Sequence, residues 1–122
     1  MNREILFKAK RKDNGEWVEG QYVYITNPLT EDGKPIKHLI CNGTNIFNDL
    51  IDPDTLCQYT GLTDKNGKKI WENDLLGHKL NRVEFLNGTY CINGDRSLFF
   101  EANTNEVIGN IFDNQEMLEV ER

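Results

Sequence analysis

Residues 82–92 read R-V-E-F-L-N-G-T-Y-C-I, and this stretch decides the fold class. Two short runs, 82–86 and 89–92, flank Asn87-Gly88, and Val83 and Phe85 face one way on the first of them. Asparagine tolerates positive φ and glycine has no Cβ to clash, so the pair suits the type I′ turn of a two-residue β-hairpin. The pattern predicts two antiparallel strands joined by a tight tip.

The same punctuation recurs outward in both directions. Five of the ten glycines follow asparagine, at Asn14-Gly15, Asn42-Gly43, Asn66-Gly67, Asn87-Gly88 and Asn93-Gly94, and Asp32-Gly33 is of the same type. Near the start, Ile5, Phe7 and Ala9 share one face of a strand, and Lys8, Lys10 and Lys12 share the other. Residues 16–25 follow, with Trp17, Val18 and the run Tyr22-Val23-Tyr24-Ile25, interrupted by Gly20 as if by a bulge or bend. Residues 26–35 form a loop by their Pro28, Asp32-Gly33 and Pro35, and 36–41 and 44–51 are strand candidates.

After the Asp52-Pro53-Asp54 break comes a short run, 55–59. Strands at 68–71 and 75–79 then flank the polar corner Glu72-Asn73-Asp74. Residues 97–102 and 107–112 read as strands around an Asn103-Thr104-Asn105 turn, and 113–120 as one helical turn or a short strand. No window of about 11 residues sustains an apolar 3.6 period, so a long helix is not expected. Short strands with frequent turn signals predict a mainly β protein, a sandwich or barrel of antiparallel hairpins. We expect residues 1–122 to form one unit. A sub-boundary near 52 would separate an N-terminal β part, 1–51, from a barrel-like part, 52–122.

The chain carries 14 Lys and Arg against 20 Asp and Glu, a net charge of −6, which argues against retention on nucleic acid by bulk charge. The charge is uneven. Residues 1–12 hold five basic residues and one acidic (+4), whereas 101–122 hold six acidic and one basic (−5). Alternating lysines can protect a sheet edge from pairing, or the two ends can present docking surfaces of opposite sign. No apolar run approaches the roughly 20 residues of a membrane helix, and the start shows no secretory signal. A cytoplasmic protein with no membrane contact is therefore expected. Cys41, Cys57 and Cys91 lack C-x-x-C spacing, which makes a disulfide framework or zinc site a poor reading and buried structural thiols the better one.

The stretch 52–76, D-P-D-T-L-C-Q-Y-T-G-L-T-D-K-N-G-K-K-I-W-E-N-D-L-L, resembles the signature of the YopX family of phage and prophage proteins. The opening 3–20, R-E-I-L-F-K-A-K-R-K-D-N-G-E-W-V-E-G, resembles that family's first strand pair, and 106–114, E-V-I-G-N-I-F-D-N, its C-terminal motif. Three positions depart from the usual pattern: Ala9 and Asn73 stand where glycine is common, and Gln115 where proline is frequent. The resemblance implies a mainly β fold with a small SH3-like barrel in the C-terminal half, encoded by a bacteriophage or an integrated prophage. It carries over no activity and no catalytic residue.

The residues leave three function classes open. Catalysis finds no G-x-S-x-G, no phosphate-cradling glycine loop and no H-E-x-x-H. A Cys57 dyad with His38 or His78, or acid–base work by Asp64, Glu72 or Asp74, is all that residue type offers, and solvated turns explain those acids better. No catalytic residue, cofactor or metal is expected. A binding module acting on a host or phage protein fits a small β fold better. Its candidate surface is Lys8, Lys10 and Lys12 with Trp17 and Tyr22 on the neighbouring strand, a set that would also suit nucleic acid were the net charge less negative. The third class is an accessory protein whose edges and oppositely charged ends join copies into a homo-oligomer.

Overall fold

The computed structural model describes residues 5–25, 37–41, 49–77, 81–94 and 96–115. The chain divides between Gln58 and Tyr59 into two compact units. All strand pairings given below are antiparallel.

In the first unit, β1 (Phe7–Lys10) and β2 (Trp17–Ile25) form a hairpin in which Lys8 faces Glu19 and Lys10 faces Trp17. β3 (Lys37–Cys41) adds to the far side of β2, and β4 (Asp49–Leu50) adds to β3. A 3₁₀ turn, Pro53–Thr55, follows the break anticipated from sequence. Asp52 caps it by accepting the Asp54 N–H, and proline is tolerated there because the first turn has no use for its missing donor. β5 (Cys57–Thr63) then begins, and its first two residues pair with Lys8 and Phe7. Ala9, Ile40 and Ile51 form the buried cluster, packed by Phe7, Val18, Tyr22 and Leu56.

No register shift marks Gly20: it is the last residue of β2 paired with β1, opposite Phe7, and the next pair of β2 is Gln21 with Cys41 on β3. Its role is close approach, since a Cβ there would run into the backbone carbonyl of Cys41 on β3.

In the second unit, the remainder of β5 pairs with β6 (Lys69–Trp71), setting Tyr59 opposite Trp71, with an irregularity before Thr63 meets Lys69. β7 (Asp74–Leu76), β8 (Asn81–Leu86), β9 (Thr89–Ile92), β10 (Arg96–Ser97) and β11 (Val107–Asn110) make a second sheet in the order β10-β9-β8-β7-β11. The β8–β9 hairpin has the predicted tip: Leu86 faces Thr89, and Asn87 and Gly88 have φ of 53° and 83°. Both central residues are left-handed, as a type I′ turn requires.

Two expectations need correction. Residues 97–102 are not a strand, because after Ser97 the chain enters a short helix, α1 (Leu98–Glu101), and a 3₁₀ turn, Ala102–Thr104. Leu98 and Ala102 lie four residues apart, so one helical turn buries both in the core, which an extended chain would place on the same face but farther apart. The SH3-like barrel expected in the C-terminal half is also not closed. β10 and β11 are the two ends of the second sheet, and among the described residues no ladder joins them. β10 is only two residues long before α1 carries the chain away, too short to extend the sheet towards closure. Ile70, Leu76, Val83, Ile92, Leu98, Ala102 and Val107 form this unit's buried cluster.

Asn42-Gly43, the whole loop 26–35 with its Asp32-Gly33, and residues 116–120 of the segment 113–120 lie outside the described residues. No helix of the described residues is long and apolar enough to cross a membrane.

Candidate functional site

The register of the first unit sorts the proposed basic-aromatic surface onto two faces. Lys8 and Lys10 share a face with Glu19 and Trp17, because directly paired residues point the same way and alternate residues along a strand point oppositely. Their ammonium groups lie over the Trp17 ring, 4.6 Å and 5.5 Å from its centroid, in cation–π geometry. Lys12 follows the strand and is exposed, with its backbone N–H donated to the Leu50 carbonyl.

Tyr22 is on the opposite face. It packs on the buried cluster, its ring 6.0 Å from that of Phe7, and its hydroxyl shares a 2.6 Å hydrogen bond with Nδ1 of His38. The His38 ring also contacts Tyr24, its cross-strand partner, at 5.0 Å. Burial, helped by the nearby Tyr24, raises the Tyr22 phenol above its ordinary value. The structure therefore brings Lys8, Lys10 and Trp17 together and sends Tyr22 elsewhere.

The Cys57–His38 pair is not assembled. Cys57 pairs with Lys8, which puts it on the lysine face, whereas His38 is on the tyrosine face. The Cys57 thiol donates to the Thr55 carbonyl at 3.3 Å. His78 lies outside the described residues. Cys57 and Cys91 are buried, as a structural thiol should be, and Cys41 is half-buried. Among the described residues, no group of three or more His, Cys, Asp or Glu is placed to hold a metal ion.

The acids of the central segment hold backbone. Asp64, 5% exposed, accepts three main-chain N–H groups: Oδ1 takes those of Asn66 (2.8 Å) and Lys68 (2.9 Å), and Oδ2 takes that of Val107 (2.9 Å). Burial works to raise its pKa, but these hydrogen bonds and the nearby Lys68 charge outweigh it, leaving the carboxyl below the ordinary value. Asp74, also buried, accepts the Trp71 N–H at 2.8 Å across the corner. Asn73 sits there at φ 70°, the left-handed conformation that favours glycine, and Glu72 is half-buried in the same turn.

Sequence reasoning missed the most exposed large apolar residues among those described. Phe99 and Phe100 on α1 are 68% and 80% exposed, their rings edge to face at 5.3 Å, and Phe85 and Leu86 near the β8–β9 tip are also exposed. The spacing of Leu98 and Ala102 fits a helical turn with the two phenylalanines outside it, but it fits a strand as well, so the sequence held no signal that decides between them.

A family model described as YopX protein matches residues 6–119. The chain belongs to the YopX family. Among solved structures, this YopX-family chain is similar to the crystal structure of protein EF1440 from Enterococcus faecalis. The TM-score is 0.58 and the identity 22%, over 96% of this chain and 99% of that one. At that identity the likeness concerns the fold of the YopX-family chain. No curated protein matches it.

Proposed function

We propose that this YopX-family chain is a phage- or prophage-encoded accessory protein that acts in the bacterial cytoplasm by binding another protein, without catalysis. The observation that carries this reading is the exposure of Phe99 and Phe100. Burying a phenylalanine is worth about 1.5–3 kcal/mol, so two adjacent rings left in water forgo a large stabilisation that a partner can supply. Aromatic anchors of this kind carry much of the energy of protein interfaces. Glu101, which follows directly, is already paired with Arg96 at 3.1 Å, but residues 101–122 carry a net −5, so the fitting partner offers an apolar pocket rimmed with basic side chains. The non-catalytic reading is supported by the use of Asp64 and Asp74 as acceptors for backbone N–H groups.

The test compares the wild type with the Phe99→Ser/Phe100→Ser variant as bait in extracts of phage-infected host cells. A protein retained by the wild type and lost by the variant, at an unchanged melting temperature, is expected. The same proteins held by both baits would overturn the reading, and loss of the wild type's own self-association would identify a second copy as the partner.

One observation favours a second reading, binding of single-stranded nucleic acid by Lys8, Lys10 and Trp17. These residues do share a face, but the two ammonium groups occupy the Trp17 ring that a base would stack on. Filter binding at two salt concentrations decides it, since such binding must weaken steeply as salt rises.

A further inference from the structure

We propose that Asn87 is a self-modification site, where the Gly88 nitrogen displaces the side-chain amide nitrogen as ammonia and isoaspartate forms faster than at the other described Asn-Gly pairs. Any Asn-Gly sequence carries the chemistry. Glycine has no side chain to shield its nitrogen, so that nitrogen, once deprotonated, can attack the asparagine Cγ. The new N–Cγ bond closes a five-membered succinimide as the Cγ–Nδ2 bond breaks and ammonia leaves. Water then opens the ring. Cleavage at Cγ gives aspartate, and cleavage at the backbone carbonyl gives isoaspartate, whose main chain runs through Cβ and Cγ. In sum, one water is taken up and one ammonia released, with no oxidant or reductant.

Four such pairs lie among the described residues, all of them exposed, and their hydrogen bonds set them apart. At Asn14-Gly15 the Gly15 N–H donates to the Arg11 carbonyl at 3.0 Å, and Asn14 Oδ1 accepts the Glu16 N–H at 2.9 Å. At Asn66-Gly67 the Gly67 N–H donates to the Asp64 carbonyl at 3.0 Å, and the Asp64 carboxylate holds the N–H groups of Asn66 and Lys68 on either side. At Asn93-Gly94 both ends of the Asn93 amide are taken: Oδ1 accepts the Arg82 N–H at 2.9 Å, and Nδ2 donates to Asn81 Oδ1 at 3.0 Å.

Asn87-Gly88 carries none of these restraints. Among the described residues, no hydrogen bond reaches the Asn87 side chain or the Gly88 N–H. The tip is held by the pairing of Leu86 with Thr89. A type I′ turn keeps the Asn87 Cγ away from the Gly88 nitrogen, so the tip must open before the ring can close. Chain reversals with few bonds of their own are where local opening costs least. Each hydrogen bond that need not break raises the open fraction about two- to tenfold. The order of reactivity among identical dipeptides is thus set by the fold.

The product changes the surface. Isoaspartate adds a carboxylate and one main-chain carbon to a two-residue tip whose length fixes the strand register. Phe85 and Leu86, both exposed, stand beside it. The β8–β9 tip is therefore where this surface alters as the protein ages.

The experiment incubates the folded full chain at neutral and mildly alkaline pH in water enriched in the heavy oxygen isotope. Pepsin digestion in acid and mass spectrometry with electron-transfer fragmentation then locate the label and separate aspartate from isoaspartate. Labelling at Asn87 at least about threefold above that at Asn14, Asn66 and Asn93 is expected, mainly as isoaspartate and faster at the higher pH. In denaturing guanidinium chloride the four sites should react at similar rates. Equal labelling of the four sites in the folded protein overturns the proposal. A lead at Asn87 that survives denaturation also overturns it, by assigning the preference to local sequence instead of the fold.

Discussion

The Asp64 carboxylate accepts the backbone N–H of Val107 at 2.9 Å, joining two points 43 residues apart in the chain. The same side chain closes its own turn through Asn66 and Lys68. One buried charge thus fixes a local hairpin tip and the start of β11 together. Hydrogen bonds to a charged acceptor are stronger than neutral ones, which is what keeps the carboxylate ionised despite its burial.

Asp64→Asn should destabilise the protein by about 2–3 kcal/mol, because one amide end must face a backbone N–H that needs an acceptor. The effect depends on pH. Asp64 has a lowered folded pKa, so its contribution is complete above the unfolded value near 3.8 and is lost as pH falls through the lower folded value. Melting curves from neutral pH down to about pH 2.5 should show the wild type and the variant converging in acid. A constant gap would remove Asp64 as the source.

Gly20→Ala tests the close approach of β2 and β3. The added methyl meets the Cys41 carbonyl, which is backbone and cannot rotate away. A loss of about 2–3 kcal/mol in urea unfolding is expected. A change below about 0.5 kcal/mol would mean that the strands separate freely there.

At Asn73 the left-handed backbone sets the order of tolerance. Asn73→Ala should cost about 1–2 kcal/mol through the Cβ penalty. Asn73→Gly should cost less than half of that, as glycine relieves the strain while losing the 3.1 Å bond from the Arg82 guanidinium to Asn73 Oδ1. The reverse order in thermal melting would show that side-chain bonds, not backbone conformation, govern this corner.

Tyr22→Phe removes the partner of His38 Nδ1 and should cost about 1 kcal/mol at neutral pH. The Tyr22 pKa is raised on folding, so its contribution is complete below the unfolded value, 10.0, and is lost as pH rises through the folded value. Alkaline melting should therefore fall more steeply for the wild type than for Tyr22→Phe. Parallel curves would assign the alkaline loss to other groups.

Much of the strand pattern was legible because its signals are local. The Asn87-Gly88 tip, the β1–β2 hairpin around Asn14-Gly15 and the sharp Asn73 corner each follow from the φ preferences of two or three adjacent residues. Gly20 was legible as an interruption of its strand, but its close approach to a carbonyl on β3, 21 residues away in the chain, was not. The stretch Leu98-Phe99-Phe100 misled because a short apolar run fits strand and helix equally. Of the candidate site, the pairing of Lys8 and Lys10 with Trp17 followed from alternation, whereas Tyr22 crossed to the other face because alternation within β2 places it beside Val18, not Trp17.

By itself the sequence determined a mainly β chain, the positions of its tightest turns and the polarity hidden in a net charge of −6, for these depend on neighbouring residues and on counting. Only the tertiary structure decided that the second sheet stays open, that Asp64 is a three-way anchor and that Phe99 and Phe100 face water. Each of these depends on which distant segments meet. A carboxylate looks the same in a sequence whether it lies in a solvated turn or accepts an N–H from another strand, and a phenylalanine looks the same whether the core has room for it or not.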